Sequence, residues 1–309
     1  MYSNLDRKWY ILYFTCVPLV WSIIYIVVSC FTSYFYYNDL LLQNRPFLKF
    51  IISISFYFCA FMTFYCHIKS MLTNPGTLVD NMVNRLNNNE KTFCKKCNKN
   101  RPLRAHHCST CGKCILKMDH HCPWIFNCVG YYNQKSFLLF LFYGTIGDAI
   151  ATPCIFANIF LKRFIYLIFR PMKVIDFNSD YLYLQLIKEL KEPIWIIVSS
   201  CISIAITISV GSLFITQMFC LFNNVTNVES TIYDNDENCP FYAKTHKFFM
   251  FKTVVGMDEK WKWFFPIFKE NKYNNGYTFD TPYKRIVKVV DKDKDKKMDS
   301  FFLQNLFDF

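Results

Sequence analysis

The chain has 309 residues, of which 53% are hydrophobic and 19% aromatic, and soluble domains rarely carry so much aromatic side chain. Its formal net charge of +12 fits either nucleic acid or an anionic membrane surface; long apolar segments favour the membrane, so we expect no nucleic-acid partner. The 15 cysteines would also fit a secreted disulfide scaffold, but their spacing with histidines favours bound metal in a reducing compartment.

Two apolar segments open the chain. Residues 9–38 contain no charged side chain and exceed the ~20 residues that cross a bilayer. Their length, with no small-residue cleavage site, argues against a signal peptide. A second apolar segment, 47–72, carries Lys49 and Lys69 near its ends, where long side chains can reach water. The sequence therefore predicts two transmembrane helices, the second ending in a turn at Asn74-Pro75-Gly76.

The stretch 94–128 holds seven of the 15 cysteines and four of the 6 histidines. Thiolate and imidazole are the ligands that Zn²⁺ prefers, and turns such as Cys94-x2-Cys97 are typical of zinc sites. Two tetrahedral sites would use eight of these eleven side chains.

Asp119, His120 and Cys122 supply a carboxylate, an imidazole and a thiol within four positions. A thiolate nucleophile, a base and a group that orients the base have this composition. From the residues alone, Cys122 fits a zinc ligand as well as it fits a nucleophile.

The loop that contains this stretch, 77–135, is rich in lysine and arginine, and by the positive-inside rule it is cytoplasmic. Two more apolar segments, 136–161 and 193–222, flank a mixed-charge loop, 162–192, that would be lumenal. Asp148 lies near the middle of the third segment, where an acid either pairs with a polar neighbour or marks function. The nearby glycines Gly144 and Gly147 permit close helix packing or leave room for an acyl chain.

The predicted fold is an all-α polytopic membrane protein. Four transmembrane helices carry a small cytoplasmic double-zinc module between the second and third spans. The predicted parts are 1–76 with the first two spans, 77–135 with the zinc module, 136–223 with the last two spans, and 224–309 as a cytoplasmic C-terminal region.

The stretch from Cys94 to Phe137 resembles the cysteine-rich domain of the DHHC protein S-acyltransferases, also called palmitoyltransferases. The likeness rests on fixed spacings of several motifs: the Cys-x2-Cys pairs, Arg101-Pro102-x-Arg104, His107-Cys108, Asp119-His120-His121-Cys122, Pro123-Trp124-x2-Asn127-Cys128 and Asn133. Outside this stretch the likeness is mostly architectural.

The resemblance implies two structural zinc sites, each with three cysteines and one histidine. One would be Cys94, Cys97, His107 and Cys114, and the other Cys108, Cys111, His121 and Cys128. Cys122 is then the nucleophile, His120 its base and Asp119 the group that orients the base. Candidate contacts of a coenzyme A donor are Arg101, Arg104 and Lys117 for the phosphates, with Trp124 at the water–membrane boundary. The alternative for the basic residues is a solvated face of the loop with no ligand.

Three positions depart from the family pattern. Asn74 replaces the aspartate of a similar Asp-Pro-Gly turn, and Asn227 replaces one threonine of a Thr-Thr-x-Glu motif after the last span. Met250 stands where the family has an asparagine packed toward the membrane core, so the role of that asparagine does not transfer.

The resemblance implies transfer of a long-chain acyl group, palmitoyl above all, from acyl-CoA to cysteine thiols of proteins through a Cys122 acyl-enzyme. The implied partners are membrane lipids, acyl-CoA and substrate proteins at the cytoplasmic face. The implied location is an endomembrane, Golgi or endoplasmic reticulum, with the plasma membrane as an alternative.

Two other hypotheses stay open. One is a membrane-anchored zinc interaction module such as a RING-type ubiquitin ligase, for which an unligated Asp119-His120-x-Cys122 would have no use. The other is an acyltransferase-like scaffold that has lost turnover, against which the intact tetrapeptide speaks.

Overall fold

The computed structural model describes residues 7–37, 44–169, 179–233, 239, 241–242, 247–257, 259–268 and 276–278. Within these ranges the α-helices are α1 Arg7–Tyr37, α2 Pro46–Leu72, α3 Asp80–Asn84, α4 Gln134–Phe169, α5 Ser179–Asn223, α6 Asn227–Ile232 and α7 Lys247–Val255. The strands are β1 Lys91–Cys94, β2 Lys99–Pro102, β3 His106–Cys108, β4 Lys113–Ile115, β5 His120–Cys122 and β6 Asn127–Val129. Short 3₁₀ helices occupy Asn88–Glu90, Pro123–Ile125 and Lys260–Phe264.

Four of these helices are long and apolar enough to cross a membrane. The candidate spans are Thr15–Thr32, Pro46–Leu72, Gln134–Cys154 and Cys201–Asn223. Each lies within one of the four apolar segments of the sequence or overlaps it closely, which supports a multi-pass membrane protein.

The helices α4 and α5 extend well beyond these spans. The loop predicted at 162–192 is wrong over much of its length, because α4 continues to Phe169 and α5 begins at Ser179. The predicted loop boundaries lie where charged residues end the apolar segments, but a helix can continue through charged residues. The first turns of α5 are rich in leucine, lysine and glutamate, all good helix formers.

The cysteine-rich region is built from three two-stranded antiparallel sheets, so the prediction of an all-α protein is too coarse. The sheets pair β1 with β2, β3 with β4 and β5 with β6. In the second sheet His107 faces Cys114, and in the third His121 faces Cys128. The second and third hairpins thus each bring a histidine and a cysteine to opposite positions. Strands of three or four residues are too short to show a period in the sequence.

Contacts divide the described residues into two compact units. One comprises the described parts of residues 18–65 and 140–214. In this unit Phe31 and Phe56 stack at 3.9 Å between ring centroids, beside the buried Ala151. The hydroxyls of Thr152 and Ser203 lie 2.6 Å apart, so a polar contact joins α4 and α5.

The other unit comprises residues 7–17, 66–139 and the described part of 215–278, and it contains the cysteine-rich region. The side-chain amide of Asn127 donates to the carbonyls of Ser70, Met71 and Thr73 at 2.8–3.2 Å. Asn133 donates to Ser70 as well, at 3.1 Å. The last carbonyls of a helix have no partner inside it, so these two amides cap α2 and fix the third sheet to its end.

The turn after α2 keeps its local bonding with asparagine at position 74. Asn74 Oδ1 accepts from the backbone N–H groups of Gly76 and Thr77 at 2.9 and 3.0 Å. Gly76 has φ +116°, and a Cβ there would lie 3.0 Å from the Cβ of Leu116. Glycine therefore suits both the conformation and the close approach.

Candidate functional site

Two groups of four cysteine and histidine side chains gather in the cysteine-rich region. Within each group the ligand atoms all lie within 4.8 Å of one another, which among the described residues marks two places that could hold a metal ion. The first group is Cys94, Cys97, His107 and Cys114; the second is Cys108, Cys111, His121 and Cys128. These are the two sets that the resemblance implied.

The donor atoms of the second group are spaced as a tetrahedral zinc site requires. His121 Nδ1 lies 3.7, 3.5 and 3.5 Å from the sulfurs of Cys108, Cys111 and Cys128. Donors about 2.0–2.3 Å from a central ion stand roughly 3.5–3.8 Å apart in a tetrahedron. Three thiolates and one imidazole also form a donor set that suits Zn²⁺.

The first group has a similar spacing, and the two groups interleave along the chain. Cys97 Sγ lies 3.1 Å from His107 Nδ1 and 3.7 Å from Cys114 Sγ. The neighbours His107 and Cys108 point to different groups. Two ions held in this way would brace several short hairpins that have little core of their own.

Cys122 belongs to neither group of four. It ends β5, is buried, and lies close enough to His120 to raise the pKa of that imidazole. His120 Nδ1 lies 2.6 Å from Asp119 Oδ2. The imidazole is thus bonded to the carboxylate with the thiol beside it, as an activated thiolate requires.

The electrostatics of His120 favour the protonated ring. Burial lowers the pKa of His120, but hydrogen bonds to Asp119 and Cys122 outweigh it and raise that pKa to about 9. Burial raises the pKa of Asp119, but the hydrogen bonds that its carboxylate accepts and the charge of the nearby imidazolium bring that pKa below its usual range. The arrangement therefore stabilises a charged carboxylate beside a histidine that can hold the thiol proton.

Asp119 is held by two residues far along the chain. Its Oδ2 accepts from Gln217 Nε2 at 3.0 Å and from Asn227 Nδ2 at 2.9 Å. Its Oδ1 accepts from the backbone N–H of Asn227 at 2.9 Å. The asparagine that departs from the family pattern thus makes two contacts with this carboxylate.

Sequence reasoning missed Gln217 and did not foresee these contacts of Asn227. The available signal for Gln217 was a buried amide within an otherwise apolar span, and such polar groups usually have a partner or a function. His67, buried near the end of α2, was missed as well. Its Nε2 donates to the backbone carbonyl of Trp124 at 3.0 Å and so fixes the turn that follows Cys122.

The predicted coenzyme A contacts fall in different environments. Arg104 is fully buried; its guanidinium donates to Glu229 at 2.6 and 2.5 Å and to Asn224 at 3.0 and 2.9 Å. Lys117 is buried and donates to Gln134 Oε1 at 3.0 Å, and burial lowers its pKa to about 7. Both side chains point into the protein and already have protein partners, so neither arrangement favours a contact with a phosphate.

The other two predicted contacts lie nearer the surface. Arg101 is largely buried in β2, with Nε donating to Thr92 Oγ1 at 3.3 Å. Trp124 is 45% exposed in the 3₁₀ turn that follows Cys122. Met250, the third departure from the family pattern, is buried in α7 against Phe249.

Residues 87–234 match the family of the DHHC palmitoyltransferases. This region is therefore similar to the DHHC palmitoyltransferases. The resemblance inferred from the cysteine-rich stretch is thereby confirmed, and the matched region also includes α4, α5 and α6, which supply Gln217, Asn227 and Glu229.

Curated relatives carry names of the same kind. The chain is 35% identical to probable protein S-acyltransferase 13 of Arabidopsis thaliana over 58% of the chain and 53% of that protein. It is 33% identical to palmitoyltransferase PFA3 of Candida glabrata over 50% and 41%, and 42% identical to human palmitoyltransferase ZDHHC3 over 34% and 38%. The chain spans about half the length of the first relatives it matches.

Proposed function

We propose that the protein is a protein S-acyltransferase that moves a long-chain acyl group, palmitoyl above all, from acyl-CoA to protein cysteines. One observation carries the proposal: Cys122 lies outside both metal-ligand groups and beside His120, whose ring is bonded to Asp119 at 2.6 Å. The match to the DHHC palmitoyltransferases and the names of the curated relatives support the same reaction.

The reaction proceeds by two thioester exchanges. His120 takes the Cys122 proton, and the thiolate attacks the acyl-CoA carbonyl. The C–S bond to coenzyme A breaks, its thiolate leaves with a proton from His120, and Cys122 carries the acyl group. A thiol of the protein substrate gives its proton to His120 and attacks this second thioester. The C–S bond to Cys122 breaks, Cys122 leaves with that proton, and the enzyme returns to its starting state. Each step replaces one thioester with another, so acyl-CoA is the sole energy source.

The residues around the site prepare this chemistry. Asp119, with its bonds to Gln217 and Asn227, keeps the His120 ring in one orientation and stabilises its positive form. The two groups of four would each hold a structural Zn²⁺, which supplies folding energy and keeps His121 and Cys128 away from the reaction.

The membrane supplies the second half of the mechanism. An acyl-CoA molecule keeps its charged head in water and its tail in the bilayer, so the thioester lies at the boundary between them. Trp124, exposed two residues after Cys122, is a side chain that suits this boundary. We therefore propose that Trp124 contacts the donor, and that Arg101, which is 9% exposed in β2, is the phosphate contact that remains of the three basic candidates.

The topology and location belong to the same proposal. The basic loop 77–135 favours a cytoplasmic zinc module with both chain ends on that side, and the parts 1–76, 136–223 and 224–309 complete the division. We propose an endomembrane, Golgi or endoplasmic reticulum, as the compartment, with the plasma membrane as the alternative. The partners are membrane lipids, acyl-CoA and proteins with accessible cysteines at the cytoplasmic face.

The test is incubation of the purified full chain with an alkyne-tagged palmitoyl-CoA. We expect a hydroxylamine-sensitive adduct at Cys122, together with two zinc ions per chain. Cys122→Ser should abolish the adduct and retain both zinc ions. The control Cys201→Ser, at an exposed cysteine of a span, should retain the adduct and both zinc ions. An adduct that survives Cys122→Ser, or a Cys122→Ser protein with one zinc, would overturn the assignment.

A further inference from the structure

The C-terminal part of the protein exposes a group of large apolar side chains. Those most exposed are Phe248 54%, Trp261 54%, Phe264 51% and Ile267 48%. Four lysines occur in the same segment: Lys247, Lys252, Lys260 and Lys262. We call these eight residues the aromatic–lysine surface.

Ring contacts join this surface to the end of the fourth candidate span. The ring of Trp263 lies 6.0 Å from that of Phe248 and 5.5 Å from that of Phe251. Phe251 in turn stacks on Phe222 at 5.4 Å. Phe222 is in the last turn of the span Cys201–Asn223, so the ring cluster continues directly from a helix end.

A buried lysine joins the surface to the beginning of the third candidate span. Lys135, in the first turn of α4, donates from Nζ to the carbonyls of Lys262 and Ile267 at 2.9 Å each. These bonds hold both ends of the segment 262–267, which carries Phe264 and directly follows Trp261. The surface is thus fixed to the first turn of one span and the last turn of another, which is the level at which a chain enters a bilayer.

Two of the four lysines lie over rings of the surface, and the other two, Lys247 and Lys260, are exposed. Lys252 Nζ lies over the Phe248 ring at 4.7 Å and Lys262 Nζ over the Trp261 ring at 5.4 Å. Glu259 is already paired with Lys262 at 3.4 Å and also accepts from Trp261 Nε1. Aromatic rings beside lysine stems are typical of segments that lie in the interface of an anionic membrane.

We propose that the aromatic–lysine surface rests on the bilayer and prefers anionic lipid headgroups. An apolar surface of this kind needs a cover, and its attachment to two span ends places the bilayer beside it. The positive charge selects acidic headgroups over zwitterionic ones. The inference requires the four spans but not the acyl-transfer chemistry.

The test uses the full chain in nanodiscs that contain a trace of a phospholipid with a photoreactive diazirine near the glycerol. Parallel samples carry the reactive group on phosphatidylserine or on phosphatidylcholine, and adducts are mapped to peptides by mass spectrometry. We expect adducts on the peptide that contains Trp261 and Ile267 with both lipids, and more with phosphatidylserine. Trp261→Ser should reduce labelling of that peptide with both, whereas Phe93→Ser, at an exposed ring of β1, should not.

Charge is tested with matched double variants. Each lysine near an anionic surface is worth a factor of about five in lipid preference. Lys247→Gln with Lys260→Gln should therefore lower the phosphatidylserine-to-phosphatidylcholine labelling ratio at least about fivefold. Arg85→Gln with Lys99→Gln removes the same charge from another exposed region and should leave the ratio unchanged.

Labelled spans with an unlabelled 259–267 peptide in the wild-type chain would overturn the proposal and favour a protein partner for the surface. Equal labelling by the two lipids would overturn the preference for anionic headgroups. Neither readout depends on an acyl-enzyme, so failure of the proposed function would be seen separately.

Discussion

Arg104 and Glu229 form a buried ion pair whose disruption should destabilise the protein rather than weaken donor binding. Both side chains are almost fully buried, and the guanidinium meets the carboxylate with two hydrogen bonds. The pair joins the cysteine-rich region to the beginning of α6, 125 residues away. Burial raises the pKa of Glu229, but the charge and hydrogen bonds of Arg104 bring its net value below the usual range.

The magnitude follows from the environment of the pair. Removing one partner leaves a buried charge uncompensated, which typically costs about 3–5 kcal/mol. We therefore expect Arg104→Met and Glu229→Gln each to lower the free energy of unfolding by about that much. Glutamine at 229 can still accept from the Thr226 N–H in the capping box, so the helix start survives. The double variant should be more stable than either single variant, because it leaves no unpaired charge.

The assay is thermal unfolding of all three variants in one detergent, with the Michaelis constant for acyl-CoA measured in parallel. The control is Lys99→Met, which breaks an exposed ion pair with Asp80 and should cost less than about 1 kcal/mol. If Arg104 instead bound coenzyme A phosphates, Arg104→Met would raise the Michaelis constant with little loss of stability. That result would refute the structural role.

Two further predictions concern the hydrogen-bond chain of the site. Asn227→Ala removes a charge-assisted hydrogen bond to Asp119 and should slow acyl-enzyme formation by roughly 10- to 100-fold, with two zinc ions retained. Asn227→Thr should slow the reaction less. A lower zinc content in the alanine variant would contradict a role limited to Asp119. His120→Ala should slow self-acylation by ~10²–10⁴ with both zinc ions present, whereas His121→Ala should lose one ion, as measured by metal analysis. Equal zinc content and equal residual activity in the two histidine variants would show that their roles are wrongly divided.

The sequence could predict what is local. The eight metal ligands and the Asp119-His120-x-Cys122 arrangement lie within 35 residues. Their spacing indicates bound metal, and the resemblance to the DHHC family supplies the division into two groups and the role of Cys122. The residues that complete the site lie much farther along the chain: Gln217 and Asn227 reach Asp119 from 98 and 108 positions away. Such contacts depend on how the last span packs, and no spacing rule in one sequence reports that.

Charge was the least informative signal. Arg104 and Lys117 look like members of a solvated basic loop, yet both are buried, one beside a carboxylate and the other beside an amide. The sequence shows that a lysine or an arginine is present but not whether its side chain points to solvent or into the protein. The all-α prediction failed for a related reason: hairpins pinned by metal ligands do not need a hydrophobic period.

The glycines of the third span illustrate a choice that the sequence left open between helix packing and an acyl-chain groove. A Cβ at Gly147 would lie 3.4 Å from the Cβ of Cys59, within the same compact unit, so α2 and α4 are in close contact there. A methyl group fits at that distance, but the branched side chain of leucine would overlap Cys59. We therefore expect Gly147→Ala to be tolerated and Gly147→Leu to destabilise by about 1–3 kcal/mol through overpacking.

Gly144 supplies the matched comparison. A Cβ there would lie 3.7 Å from side-chain carbons of Thr63 and Val210, which is ordinary contact with more space than at Gly147. Alanine at 144 should therefore also be tolerated. The measurement is thermal stability together with competition between acyl-CoA donors of different lengths. If Gly147 is a packing contact, Gly147→Leu lowers the melting temperature and leaves chain preference unchanged among the molecules that remain folded. A shift toward shorter chains at unchanged stability would instead place Gly147 in the wall of the acyl groove, because bulk there would shorten the space for the donor without disturbing the helices.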